Sequence, residues 1–330
     1  MDPILKKNIV NKIVAKIPSH LNPVDFLQEI LGISKESVYR RLKGEIAFSL
    51  DDVIKLSSEL SFSLDEIVLM DGEKEAKPVS VLFQFRSNKM FDPQKTFSQT
   101  LSAYVEGRKR LKKYDDVEIL VATNRLMILT SIYYDHIFKF YYYKWIHQTQ
   151  QMPLNFSLSD VILPDNILSL QEQLKTSESL IDSTNTYILD YNFLKNTLHE
   201  IQYYYKRKLI SEDEIVLLQN DLSQFIDTME YMLKQPVKKG NHIPNIYLST
   251  TQIDSTGLYC KFGAEETLDL WISFGSTIHS ENTEICKTYR TWFNSLKKYS
   301  SLVTGCDEIL QTKFIEEQRR HIRDISIKEY

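Results

Sequence analysis

The chain has 330 residues, 42% of them hydrophobic, enough for two or three domains that each bury a core. Charged residues make up 25% while Gly and Pro are few, which excludes a low-complexity or disordered class. A formal net charge of -4 gives no global attraction to a polyanion, so any nucleic-acid contact has to come from a local patch.

The opening residues, "MDPILKKNIVNK", hold no apolar run of signal-peptide length. Leu5, Ile9, Ile13 and Ile17 recur at four-residue spacing with Lys6, Lys12 and Lys16 off that face, so a first amphipathic helix is expected there. A second helix fits "VDFLQEIL", Gly32 breaks it, and Ser34 stands ready to cap a third, "KESVYRRLK", which Gly44 ends. Two capping boxes follow: Ser49 with Asp52 opens "LDDVIKLSSEL", and Ser63 with Glu66 opens "LDEIVLM". Five short helices over residues 1–72 result. The charged "DGEKEAKP" has no apolar periodicity and marks a domain boundary, with a linker over 73–78.

The second domain, 79–330, reads as α+β: mainly α with a small antiparallel sheet. "VSVLFQF" and "DVEILVA" are candidate strands in a part that is otherwise helical over 94–240. Asn124 and Arg125 interrupt the greasiest run, residues 117–134, which argues against a membrane span. The aromatic "LMILTSIYYDHIFKFYYYKWIHQ" reads as one helix. Its rings either pack a core, line a ligand pocket or stack bases.

Ile167, Leu170, Leu174 and Ile181 suggest a further helix. Tyr187, Tyr191, Leu194, Leu198, Ile201 and Tyr205 step by four and three, as do Ile215, Leu218, Leu222, Phe225, Met229 and Met232. A capping box, Ser211 with Glu214, separates the two runs, so an αα-hairpin is expected, serving as core or as a dimer surface. The small sheet is placed over 245–275, in "NIYLSTTQI", "GLYCKFG" and "LDLWISFG", and C-terminal helices over 282–325, the first in "TEICKTYRTWFNSLKKYSSLV".

Against the acidic background, "SVYRRLKGE" gathers two arginines and a lysine beside a tyrosine. On its own such a run is usually a solvated helix face. Its setting says more. Leu27, Leu31, Ile33 and Val38 frame a turn at Gly32, and the segment "FLQEILGISKESVYRRLKGE" resembles the helix-turn-helix of Cro-type (phage-repressor-like, XRE) bacterial transcription regulators. The resemblance covers residues 1–72; Val24 and Gln28 depart from it, standing where that family often has glutamine and alanine. The remainder resembles the uncharacterised regulatory part of similar bacterial regulators.

The resemblance implies sequence-specific binding of double-stranded DNA, with helix 35–43 in the major groove. By position Lys35, Glu36, Ser37, Tyr39 and Arg40 reach base edges, while Arg41, Lys43 and Ser34 suit phosphates. It also implies a homodimer, because paired half-sites mirror a protein two-fold. An unidentified small-molecule effector acting on the larger domain is a further expectation. The alternatives are an adaptor whose helix-turn-helix grips protein, and a sensor domain with an unrecognised activity.

No sequence motif points to an enzyme. His199-Glu200 lacks a second histidine at zinc-helix spacing, and there is no phosphate loop, dinucleotide fingerprint or nucleophile elbow. No metal or other cofactor is expected. Cys260, Cys286 and Cys306 are far apart, without metal or redox spacing, and read as reduced thiols of a cytoplasmic protein.

Overall fold

The computed structural model of the chain describes residues 3–18, 21–60, 62, 84–87, 93–149, 152–177, 183–236, 243–273, 276–305 and 308–326. It divides into two compact units, Met1–Phe83 and Gln84–Tyr330. The expected linker, the Ser63–Glu66 capping box with its helix, Ile181 and Cys306 lie outside the described residues.

The first unit holds helices α1 (Pro3–Lys16), α2 (Pro23–Leu31), α3 (Lys35–Leu42) and α4 (Leu50–Glu59). Ile9 and Ile13 of α1, with Ile17 just beyond it, are buried as the four-residue spacing requires. They meet Leu27, Val38, Phe48, Val53, Leu56 and Phe62 in one apolar core. Ser49 opens α4 through a complete capping box: its hydroxyl accepts from the Asp52 amide at 3.1 Å, and its own amide donates to the Asp52 carboxylate at 2.9 Å.

The second unit is α+β. Among the described residues its eight strands run in the order β1-β7-β6-β5-β2-β3-β4-β8. They are β1 (Gln84–Ser87), β2 (Val117–Thr123), β3 (Ser183–Asp190), β4 (Asn245–Ser249), β5 (Gly257–Phe262), β6 (Glu265–Ser273), β7 (Ser276–Ser280) and β8 (Ser300–Leu302). In place of the small antiparallel sheet expected over 245–275, the sheet is large and mixed: β2, β3 and β4 are parallel, and every other pair is antiparallel.

The helices are α5 (Pro93–Leu111), α6 (Ile128–Ser131), α7 (Asp135–Thr149), α8 (Asp165–Ser177), α9 (Phe193–Lys206), α10 (Glu212–Lys234), α11 (Thr283–Lys298) and α12 (Glu308–Arg323). The crossover from β2 to β3 carries α6 to α8, and that from β3 to β4 carries α9 and α10. Leu120, Ala122, Ile188, Tyr259 and Leu268 face α11 through Cys286 and Phe293. On the other side Leu189, Ile246 and Leu248 join the main helical core.

Several expected boundaries move. The run through Tyr187 and Tyr191 is not helical until Phe193, because Tyr187 belongs to β3 and Tyr191 to the turn after it. The span 94–240 is therefore interrupted by two strands. The aromatic helix is two helices separated by a turn after Ser131, and the helix expected to run to Val303 stops at Lys298 so that β8 can pair with β4. The Ser211–Glu214 capping box is present and opens α10, whose Ile215, Leu218, Leu222, Phe225 and Met229 are buried. That helix packs on α7 and α12.

The aromatic stretch of α7 is core. Phe138, Phe140, Tyr141, Tyr142, Tyr143 and Trp145 are all buried, leaving no face for a pocket or a stacked base. Their polar tips are satisfied: Trp145 Nε1 donates to Thr96 Oγ1 at 3.0 Å, and the Tyr143 hydroxyl donates to the Phe156 carbonyl at 3.1 Å. A distant carboxylate caps this helix, since Asp221 of α10 accepts from the amides of His136 (2.7 Å) and Ile137 (3.1 Å).

Candidate nucleic-acid interface

The first unit presents α3 on a two-helix support. Asn22 opens α2 by accepting from the amides of Val24 (2.9 Å) and Asp25 (3.4 Å). Gly32 ends it at φ 66°, with its N–H donating to the Gln28 carbonyl at 2.9 Å. Ser34 then caps α3 by accepting from the Ser37 amide at 3.3 Å. Leu27 of α2 and Val38 of α3 are completely buried, which fixes α3 against its support. Gly44, at φ 75°, turns the chain away after α3.

A Cβ at Gly32 would meet nothing within 4 Å, so only the backbone opposes a side chain there. Gly32→Ala is expected to cost about 1–2 kcal/mol, the left-handed penalty of a residue with a Cβ, and Gly32→Asn less. Thermal melts of the three proteins check this; an alanine variant that melts with wild type would refute the left-handed turn.

Around this frame Ser34, Lys35, Glu36, Tyr39, Arg40 and Lys43 are exposed, and Ser37 is half-buried. Tyr39 is 55% exposed despite its large ring. Two cations of the face are held by carboxylates at its rim: Lys35 Nζ lies 2.6 Å from Asp25 of α2, and Arg40 Nε lies 3.3 Å from Glu45. Donating to the Asp25 carboxylate raises the Lys35 pKa above its ordinary value.

Arg41 behaves differently. Its side chain is only 16% exposed; Nε lies 3.4 Å from Asp52 and a terminal nitrogen donates to Ser37 Oγ. The Asp52 carboxylate also accepts from the Ser49 amide, so Arg41 ties α3 to the capped start of α4. The sequence placed Arg41 beside Lys43 as a phosphate contact; the fold turns it inward. The partners Asp25, Glu45 and Asp52 were not foreseen. Only Asp52 had a signal, as the acidic half of a capping box; the oxygen that accepts from the Ser49 amide is also the one that faces Arg41.

The arrangement can do two things. Arginine and glutamate tips can read base edges, and the lysines, Ser34 and the free amides at the start of α3 can hold phosphates. No described cluster of His, Cys, Asp or Glu has the form of a metal site. In the second unit Cys260 and Cys286 are free and buried, and burial pushes both thiols up to about 12, far from nucleophilic. No described helix is long and apolar enough to cross a membrane.

No curated protein and no solved structure matches the chain. One family model does: residues 14–97, a span holding the whole of α2, α3 and α4, match the BetR domain, a DNA-binding domain of the helix-turn-helix type that occurs in regulators.

Proposed function

We propose that the chain is a sequence-specific, double-stranded DNA-binding transcription regulator whose α3 enters the major groove. One observation carries the reading: the outward face of α3 offers Lys35, Glu36, Tyr39, Arg40 and Lys43 to solvent, while Leu27 and Val38 fix its back to the unit. A rod so mounted fits the width of the major groove. Arg40 suits a bidentate contact to guanine and Glu36 accepts from cytosine N4. Tyr39 offers apolar contact to a thymine methyl. Lys35, Lys43 and Ser34 meet phosphates, and Arg41 with Ser37 positions the helix. The BetR match and the Cro-type frame both support a DNA partner.

The larger unit then pairs two copies, setting two readers about 34 Å apart on one face of the duplex. A protein that reads chromosomal DNA works in the cytoplasm of a bacterium. Selection from random duplexes with the full chain tests the reading. An enriched sequence is expected, with affinity falling by about 0.9 log units per log unit of salt for each phosphate contact. Failure to enrich any sequence would overturn it. Repeating the selection with cell metabolites tests an effector.

The rim carboxylates give a finer expectation. Glu45 competes with DNA for Arg40, so Glu45→Gln is expected to raise non-specific duplex affinity about two- to five-fold at low salt, the scale of one exposed ion pair. Fluorescence anisotropy with an unrelated duplex reads this directly; an unchanged affinity would mean that Arg40 stays clear of the backbone.

A further inference from the structure

We infer that β8 is an interface between two copies of this chain, which join edge to edge to continue the sheet across a two-fold axis. Among the described residues β8 is the last strand of the sheet and pairs only with β4. Its register sets Leu302 opposite Tyr247, Ser301 opposite Leu248 and Ser300 opposite Ser249. The Val303 amide donates to Ile246 at 2.8 Å, so Val303 and, by alternation, Ser301 point their backbone groups towards β4. Ser300 and Leu302 therefore point theirs away from the sheet.

That edge is complementary to itself. An antiparallel copy centred on Ser301 sets Ser300 opposite the second copy's Leu302, and the reverse, so both outward amides and both outward carbonyls of each chain find partners. The surroundings suit burial more than solvent. Tyr299, immediately before β8, is 71% exposed, and Ile309, at the start of α12, is 82% exposed. The edge lacks the charges and prolines that keep free strands apart: its three residues are Ser300, Ser301 and Leu302. Charge favours the antiparallel sense. Lys297 and Lys298 end α11 just before the strand, and Glu308 opens α12 just after it. Reversing one copy brings its lysine end to the end of the other where Glu308 lies.

This locates the pairing surface of the paired-reader reading, but it does not depend on DNA: the interface can be present in a protein that reads none. The full chain is expected to sediment as a dimer without DNA. Leu302→Pro removes an outward N–H that β4 does not use, and Tyr299→Glu puts charge on the edge; each is expected to halve the sedimenting mass without moving the melting temperature.

A central Ser301 pair is a non-hydrogen-bonded antiparallel site with Cα atoms about 4.5 Å apart, within disulfide reach. Ser301→Cys is therefore expected to give a covalent dimer on mild oxidation, whereas Ser169→Cys, exposed on α8, is not. A monomeric wild-type chain at tens of micromolar would overturn the inference. So would a dimer that survives both edge variants, or equal cross-linking at positions 301 and 169.

Discussion

Arg40→Ala is expected to lower the affinity of the full chain for its selected duplex by about 10- to 100-fold and to leave its melting curve in place, as for loss of one bidentate base contact. Arg40 is exposed, and its partner Glu45 is exposed too, so little folding energy rests on the pair. Specificity should relax at one base position. Lys43→Ala should instead weaken all duplexes alike and reduce the salt slope by about one contact. Arg41→Ala, its neighbour in sequence, should do neither. It loses the link to Asp52 and the bond to Ser37, so it should cost about 1 kcal/mol and lower the melting temperature of the small unit by about 4–8 °C. Salt titrations and melts of the three variants separate these roles. A steep loss of salt dependence in Arg41→Ala at unchanged stability would mean that Arg41 swings out to the backbone, against the geometry described.

The contrast between Arg40 and Arg41 shows how far the sequence could be read. Caps are written in a few adjacent residues, so Ser34, Ser49–Asp52 and Ser211–Glu214 were legible one by one. The apolar spacing that buries Leu27 and Val38 was legible too, because a helix repeats every 3.6 residues and fixes its inner face. The repeat fixes which residues leave the core. It does not say which carboxylate a long cationic side chain will find, and Arg41 meets Asp52 across a turn that holds Gly44.

The sheet was under-read for a related reason. A strand buried on both faces shows no alternation, and β3, "STNTYILD", sits between two parallel neighbours. Tyr187 and Tyr191 happen to continue a helical step into α9, and the β-branched Thr184, Thr186 and Ile188 were outweighed by it. β8 was hidden in the same way, behind an amphipathic helix whose pattern ran on into it. Strand pairing is a long-range fact. The sequence offers candidates, and only the partners choose among them.

In the second unit the two halves of one ion pair are expected to respond in opposite ways. Lys144 of α7 is buried in the aromatic core, its side chain only 2% exposed, and its ammonium donates to Glu200 of α9, which is 35% exposed. It also lies 5.5 Å from the centre of the Tyr141 ring. Burial pulls the Lys144 pKa below its ordinary value; Glu200 opposes that pull, and Arg125 adds to it. The folded value is thus the lower one, and the unfolded chain holds more protons between it and 10.5. The contribution of Lys144 to stability therefore rises with pH through that window, and below it the buried charge is a cost.

Glu200→Gln removes the charge that offsets this cost. The expected loss is about 2–3 kcal/mol, less than for a fully buried pair because water reaches Glu200. Lys144→Met keeps the length and the apolar contacts while removing the charge, and Glu200 remains in partial contact with water. That variant should be neutral or more stable by up to about 1 kcal/mol, and the double variant should lie close to it. All three tryptophans, Trp145, Trp271 and Trp292, belong to the larger unit, so urea unfolding followed by their fluorescence reports that unit alone. Equal losses in Glu200→Gln and Lys144→Met would show that the lysine holds this core together, and the account of it as a tolerated, neutralised charge would fall.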